Sequence, residues 1–475
     1  MAKKLNKAGY QAYIVGGSVR DLFLKSQPKD WDIATDAKPE DIQGIFSDSV
    51  YENEFGTVGV KTGSEDKTLA VVEVTTFRKD EEYSDRRHPD KVVFAETIEE
   101  DLARRDFTIN AIAMSLDGEI VDPFGGQKDI EQKVIKAVGK PEKRFEEDAL
   151  RLMRAVRLYA ELGFEIEAET ETAIKKSAKL LGDIAEERVR DEFIKIIMSP
   201  DDGPRKGIEK LEELGLLQYI MPELREGIGV TQNKHHIYTV WEHNLLSLDY
   251  AAKQNYSLEV RLAALLHDVA KPKVKGGEGP DATFYNHEVV GARMAKEMLA
   301  RLRFPNDVVK KIVHLIRYHM FYYNVDEVTA AGVRRFLKRV GQENVDDFVK
   351  LREADRIGSG VPKAVPYKLR HFLFMIEKVK ADPITPKMLK VNGDDVVKLL
   401  GIEPGPKVGY ILAILLEEVL DDPKKNTKKY LEGQVRDLGK LGDKELEEKS
   451  KKATSRKEEF ESGLEEEIKK KYYVK

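Results

Sequence analysis

Strand signals stop near Gly139-Lys140-Pro141, and from there almost to residue 475 only helical periodicity is left. A chain that changes rhythm once, this early, is expected to fold as an α+β head followed by an all-α body. In the head, residues 13–15 form a short apolar run that ends in Gly16-Gly17. Residues 56–61 and 69–76 are rich in Val and Thr with partial alternation, which predicts two strands. Residues 114–116 and 119–121 flank Asp117-Gly118, a strong hairpin turn. Breakers then cut the helical part: a Pro/Asp/Gly cluster at 199–204, a Gly-rich loop at 275–281, Ala381-Asp382-Pro383 and the Glu-Pro-Gly-Pro run at 403–406. The expected division is 1–140, 141–225, 226–380 and 381–475. Over half of residues 423–475 are charged, with both signs mixed, which reads as solvated helix fraying at its end, a basic RNA-contacting surface being the sharper alternative.

Charge and residue usage exclude several functions. Lys+Arg minus Asp+Glu is 80 − 85 = −5, so no global basic field announces a nucleic-acid partner, although a local strip is allowed. The absence of cysteine excludes a disulfide scaffold, thiolate zinc sites and a Cys nucleophile. No stretch approaches the ~18 apolar residues of a membrane span, and the first residues hold too short an apolar run for a secretory signal. A soluble, cytoplasmic protein is the expectation, with no membrane partner.

The first chemical constellation is Gly16-Gly17-Ser18-Val19-Arg20-Asp21, a Gly pair placed after a strand and before a helix-like run. Backbone amides at such a turn can hold a triphosphate, and Arg20 can add charge. Asp30 and Asp32 follow in Asp30-Trp31-Asp32; two apart on a strand, they would share one face. Paired carboxylates repel unless a cation lies between them, and two Mg²⁺ ions held this way can activate an attacking hydroxyl and stabilise leaving pyrophosphate. Glu73 lies inside the apolar strand 69–76, where a buried carboxylate needs a partner, and a third metal-facing acid is the reading. Residues 78–92 are polar and charged and read as a mobile surface loop.

This order resembles the signature of the class II tRNA nucleotidyltransferase/poly(A) polymerase family, whose head is polymerase-β-like. Four further motifs follow in order. Arg104-Arg105-Asp106-Phe107-Thr108-Ile109-Asn110-Ala111 resembles the ribose-binding motif, and Asp122-Pro123-Phe124-Gly125-Gly126 the flexible connector. Glu147-Asp148-Ala149-Leu150-Arg151 resembles the base-templating motif, and Glu186-Glu187-Arg188-Val189 opens a further family helix. On their own terms, Arg105 and Asp106 can address sugar and phosphates and Asn110 a ribose hydroxyl, the alternative for Arg104-Arg105 being an exposed basic pair; the resemblance implies that Arg104 is nucleotide-binding too. Residues 145–158 predict one helix with Ala149, Leu152, Met153 and Val156 on its apolar stripe and Glu147, Asp148, Arg151, Arg154 and Arg157 opposite. The resemblance implies that Asp148 and Arg151 read the Watson–Crick edge of incoming CTP or ATP, with Arg154 and Arg157 as candidates for the triphosphate. It also implies that the loop at 78–92 serves the final A-addition, which argues against a CC-only enzyme.

The second constellation lies in the helical part, where seven of the nine histidines fall between 235 and 319. His243, His267-Asp268 at the end of an apolar run, and Asp355 follow the order His…His-Asp…Asp. That order resembles the HD phosphohydrolase superfamily, and its N/O donors suit a divalent transition metal or Mg²⁺. His287 and His319 can complete a second metal position, with His314 as the alternative to His319. Some tRNA nucleotidyltransferases carry such a domain, with phosphatase and 2′,3′-cyclic phosphodiesterase activity, whereas bacterial poly(A) polymerases generally lack it.

These resemblances imply a head at 1–140, a neck at 141–225 with nucleotide-selecting and RNA-binding helices, an HD domain at 226–380 and a tRNA-binding body with a charged tail at 381–475. The implied activity is template-independent addition of CCA to the 3′ end of tRNA from CTP and ATP, with Mg²⁺ in the head, an unspecified divalent metal in the HD domain, and the tRNA acceptor arm as partner. An A-adding enzyme or a poly(A) polymerase is the alternative within the class. A phosphohydrolase whose head only clamps RNA is the alternative from another class.

Overall fold

The computed structural model describes residues 1–474 apart from 52–55, 67, 82–90, 234–236, 322, 326, 328 and 381–388. It divides into two units, Met1–Met320 with Asp346–Ala364, and Phe321–Val345 with Val365–Lys475. In this division residues 321–345 and 365–380, expected in the lobe 226–380, group with the C-terminal residues.

Among the described residues of the first unit, the strands are β1 (Ala12–Val15), β2 (Asp32–Thr35), β3 (Ser49–Tyr51), β4 (Thr57–Lys61), β5 (Val71–Thr76), β6 (Arg78–Glu81), β7 (Lys91–Phe94), β8 (Ala113–Met114), β9 (Ile120–Val121), β10 (Val134–Ile135) and β11 (Glu165–Ile166). Seven form one sheet in the order β3-β4-β5-β2-β1-β8-β9, in which only β2 and β5 run parallel. Strand alternation sorts its side chains onto two faces. Ile33, Val58, Val60, Val72 and Val74 pack with Ala12 and Ile42 on one face. Val15 and Ala34 pack with Phe77, Leu102 and Ala111 on the other. Asp32 and Glu73 lie between the residues of the first set, so they point to the second face.

Four local expectations are corrected. Strands do not stop at 140, because β11 adds to β10 in parallel. The loop at 78–92 begins and ends as a hairpin, with Arg78 opposite Phe94 and Glu81 opposite Lys91, and 82–90 lie outside the described residues. Asp30 precedes the strand in a bend, since β2 starts at Asp32. Finally, the helix expected at 145–158 is two helices, Pro141–Glu147 and Leu150–Leu162. Asp148 breaks them: its backbone is extended (φ −145°, ψ 105°), and its carboxylate accepts from the Leu150 N–H at 3.0 Å. A short acid that can bond its own backbone competes with helix at such a position.

The connector motif has a mechanical role. The Asp122 carboxylate accepts from the N–H groups of Gly126 (2.7 Å) and Gln127 (2.9 Å), starting the helix Gly126–Gln132. A Cβ on Gly126 would overlap the Thr108 carbonyl oxygen, in the 3₁₀ turn Thr108–Asn110. Because that atom is backbone, Gly126→Ala is expected to cost about 1–3 kcal/mol, read as a lowered thermal midpoint.

Helices of the neck and the following lobe meet at Arg261, which is 3 % exposed. Its guanidinium donates to the carbonyls of Ile197 and Ser199 (both 3.0 Å), Ala252 (3.3 Å) and Tyr256 (3.0 Å). The first two lie at the end of the helix Glu186–Ile197 and the third near the end of Val240–Lys253, where C-terminal carbonyls lack helical partners.

In the second unit, Pro406–Asp421, Lys428–Gly439 and the long helix Asp443–Tyr472 share a core of Ile411, Leu415, Val419, Leu431, Val435, Leu446 and Ala453. The charged tail is thus not a purely solvated helix: Leu446 and Ala453 pack on that core, and Ile468 packs with Phe374. The intervening charges offset one another through i,i+4 pairs such as Lys451–Glu447 at 2.8 Å.

Candidate functional site

The head site is built where β1 turns into the helix Gly17–Phe23. Gly16 takes φ +75°, and a Cβ there would stand 2.7 Å from Arg105 Nη1 and 3.8 Å from Asp32 Oδ2. Only glycine serves both the left-handed backbone and this approach. The parallel register places Asp32 opposite Glu73, one strand over on the same face. Glu73 is exposed rather than buried, so the expected burial is corrected while its neighbourhood to Asp32 is real. Burial and then the adjacent Asp30 push the Asp32 carboxyl above its usual range, with Arg105 opposing. Like charge from Asp30 beside a partly buried Asp32, with Arg105 opposite, is the electrostatic setting in which a cation would be favoured.

The arginines of the head are not loose. Arg104 donates to Asp101 Oδ1 at 3.0 and 2.8 Å, and Arg105 Nη2 lies 3.3 Å from Asp101 Oδ2. Burial works to raise Asp101, but the two guanidinium groups outweigh it and hold the carboxyl below its usual range. Asp101 was not singled out from sequence; an acid three and four residues before two arginines on a helix was the available signal. Arg20 donates to Asp21 and, at 2.7 Å, to Asn110 Oδ1. Asp106 is 7 % exposed. It is clamped by Arg154 Nε (2.7 Å), Arg154 Nη2 (2.6 Å), the Phe107 N–H (2.8 Å) and Asn110 Nδ2 (3.2 Å). Burial opposes its ionisation, but Arg154 and Arg151 hold the carboxyl well below the usual range.

At the neck, Asp148 and Arg151 do not stand together on one polar face. Arg151 is 9 % exposed and turned inward. It donates to Glu147 Oε2 at 2.7 Å, the Arg144 carbonyl at 3.1 Å and the Arg104 carbonyl at 3.0 Å. Asp148 instead receives both Arg188 Nη atoms, at 3.3 and 2.9 Å, from the helix Glu186–Ile197. Arg157 donates to Glu192 Oε1 at 3.3 Å and lies 3.6 Å from Glu161. Ala149, Leu152, Met153 and Val156 form the buried stripe as expected.

The second centre brings all six predicted HD residues together. His243 leads from the capping box Thr239–Glu242 on Val240–Lys253; His267 and Asp268 close the helix Leu258–Leu266; His287 opens His287–Arg301; His319 ends Asn306–Tyr318; Asp355 lies on Val345–Gly358. His243 Nε2 is 2.9 Å from His267 Nε2, 3.1 Å from Asp268 Oδ2 and 3.5 Å from Asp355 Oδ1. His287 Nε2 is 3.3 Å from Asp268 Oδ1 and 3.4 Å from His319 Nε2. Two potential ligand groups result, His243/His267/Asp268 and Asp268/His287/His319, with Asp268 facing both. His314 lies outside both, packed on Tyr318 and Phe348, so the alternative to His319 is set aside.

This donor set fits metal. His267, His287 and His319 place Nδ1 on the carbonyls of Ala264 (2.9 Å), Phe284 (2.8 Å) and Ile316 (2.7 Å), which turns each Nε2 inward as an acceptor. Burial and the neighbouring His267 push His319 down to about 3, against Asp268, so its imidazole is neutral at pH 7. The buried Oδ1 of Asp268 accepts no hydrogen bond among the described residues. Its Oδ2 meets Lys271 Nζ at 2.6 Å, and Lys271 is held in turn by Gln232 at 2.6 Å; neither was singled out from sequence.

Family models match in the same order. A "Poly A polymerase head domain" covers residues 12–136, a "Probable RNA and SrmB- binding site of polymerase A" covers 163–228, and an "HD domain" covers 240–357. The chain is 48% identical to a CCA-adding enzyme of Lactobacillus johnsonii over 224 residues, 46% of this chain and 53% of that protein, so the match spans about half of the relative's length. It is 35% identical to an A-adding tRNA nucleotidyltransferase of Deinococcus radiodurans over 428 residues, 86% of this chain and 91% of that one. Among solved structures, the CCA-adding enzyme of Bacillus stearothermophilus in complex with CTP superposes with a TM-score of 0.59 at 30% identity, covering 92% of this chain and 95% of that one.

Proposed function

The chain belongs to the class II tRNA nucleotidyltransferase/poly(A) polymerase family, and on that premise we propose that it completes the 3′ end of tRNA by adding CCA from CTP and ATP. The observation that carries this reading is the Asp30/Asp32 pair beside Glu73, backed by the Gly16 turn and Arg105. Asp30 and Asp32 would hold Mg²⁺, which when bound supplies charge for an attacking 3′-hydroxyl and a leaving pyrophosphate. The amides of the Gly16-Gly17 turn, with Arg20 and Arg154, orient the triphosphate so that its α-phosphorus faces the RNA end. Half-burial of Asp32 thins the water around these charges and strengthens them. The assay is addition to tRNA ending at the discriminator base, in C or in CC, with CTP and ATP alone and together. Addition of A only, to a CC end only, would select the A-adding reading that the Deinococcus relative favours.

The family resemblance assigns base choice to Asp148 and Arg151, which would have to exchange their present partners, Arg188 and Glu147, for a base edge. A site built to pair with a polar base edge leaves its own groups unsatisfied when a wrong base enters. Arg151→Ala is expected to lower CTP and ATP use by about 10–100-fold and to raise the relative incorporation of UTP and GTP, measured by single-turnover addition of each nucleotide. Unchanged preference would leave Arg151 as a brace between Glu147 and the Arg104 carbonyl.

The HD residues support a second, metal-dependent phosphohydrolase activity. His243, His267, Asp268 and Asp355 would hold one divalent ion and Asp268, His287 and His319 another, which would supply an activated water when bound. Hydrolysis of a 2′,3′-cyclic nucleotide in the presence of added Mn²⁺, Ni²⁺ or Mg²⁺ tests it.

A further inference from the structure

Between the glycine turn of the head and the long neck helix runs one continuous chain of polar contacts. Arg20 Nη1 donates to Asn110 Oδ1 at 2.7 Å, and Asn110 Nδ2 donates to Asp106 Oδ1 at 3.2 Å. Asp106 Oδ2 accepts from Arg154 Nε at 2.7 Å and stands 2.6 Å from Arg154 Nη2. Arg20 belongs to the helix Gly17–Phe23, Asn110 to the turn Thr108–Asn110, and Arg154 to Leu150–Leu162. Asn110 is 6 % exposed, and its amide can be oriented only one way: a guanidinium on one side needs the oxygen, a carboxylate on the other needs the nitrogen. Asp106 already takes four donors, counting the Phe107 N–H, so little of its carboxylate is left for a sugar hydroxyl.

We propose that Asn110 is a positioning residue rather than a ribose ligand, coupling Arg20 on the turn to Arg154 on the neck helix through Asp106, so that two cations from different elements are set as a pair for one polyphosphate. An asparagine suits this link because it is neutral and has both an acceptor and a donor; a carboxylate would repel Asp106, and an apolar residue would leave buried polar groups unpaired. The coupling rests on the reading that Arg20 and Arg154 address the nucleotide's phosphates.

The test is a set of double-mutant cycles on the full-length protein, with KM for CTP and ATP and for their 2′-deoxy forms as readout. Arg20→Ala and Arg154→Ala are each expected to raise KM by about tenfold, and the double variant to fall short of the product by about threefold or more. In an Asn110→Ala background the two effects are expected to multiply. Asn110→Ala should raise KM for ribo- and deoxynucleotides by the same factor, leaving the ratio between them intact. Asn110→Asp keeps the volume and the acceptor for Arg20 but loses the donor to Asp106, and it should break the coupling likewise. If Asn110→Ala collapses the ribo/deoxy ratio, the residue is a sugar ligand and the inference is overturned. It is equally overturned if the cycle is the same with and without Asn110. Arginine variants with unchanged KM would instead overturn the phosphate reading on which the inference rests.

Discussion

Asp32→Ala is expected to cut nucleotide addition by about 10³-fold or more, since on the proposed reading the carboxylate would hold a metal whose loss removes several kcal/mol of transition-state stabilisation. RNA affinity should stay within a few-fold if, as the family resemblance implies, phosphate contacts on the helical body carry most of it. A companion effect sets this apart from simple unfolding. The Asp32 carboxyl is pushed up by burial and by Asp30. A carboxylate with a raised folded pKa favours the folded state only while protonated, and that benefit is lost as pH climbs from the usual carboxylate range through the raised value. At neutral pH the ionised group therefore costs stability unless a cation neutralises it. Asp32→Asn should thus raise the thermal midpoint in chelator and abolish the further rise expected when Mg²⁺ is added to the native protein. A variant that adds nucleotides at the native rate, or that melts lower without Mg²⁺, would refute the metal assignment.

Asp268→Asn is expected to empty both metal positions of the HD centre, whereas His319→Ala should empty one. The reason is that Asp268 turns Oδ2 to His243 and His267 and Oδ1 to His287 and His319. Metal content after gel filtration should fall from about two ions per chain to none and to about one, respectively, and phosphohydrolase activity by at least ~100-fold in the first case. CCA addition should persist in both, because the head carboxylates are untouched. Equal loss of metal in the two variants would argue against a shared carboxylate.

Both centres were legible in the sequence to different depths. The HD candidates could be named because their order, His…His-Asp…Asp, resembles the HD superfamily, and the fold brings His243, His267, Asp268, His287 and His319 into two groups able to hold a metal. The head carboxylates could be named because Gly16-Gly17 and Asp30-Trp31-Asp32 are local patterns. What sequence could not supply was pairing between distant elements. Glu73 was assigned a buried place on its strand's apolar neighbours, yet it is exposed, and its tie to Asp32 is a matter of parallel register. The helix across 145–158 was expected unbroken because helical periodicity continues through Asp148, whereas the Leu150 N–H and Arg188 draw that carboxylate away. Arg151 was put on the polar face for the same reason, and the break turns it inward onto Glu147. The membership of residues 321–345 in the second unit rests on packing that no local pattern announces.

The carbonyls gathered by Arg261 bear on how the molecule comes apart. Four backbone acceptors from two regions of chain share one buried guanidinium. Their amides should exchange hydrogen together, as one cooperative opening unit that spans the end of the neck helix and the start of the HD helices. An excised HD fragment beginning at residue 226 would lack the Ile197 and Ser199 acceptors and strand part of a buried cation. A fragment that begins ahead of the helix Glu186–Ile197 keeps all four acceptors, although it gives up the ties of Arg188 to Asp148 and of Glu192 to Arg157.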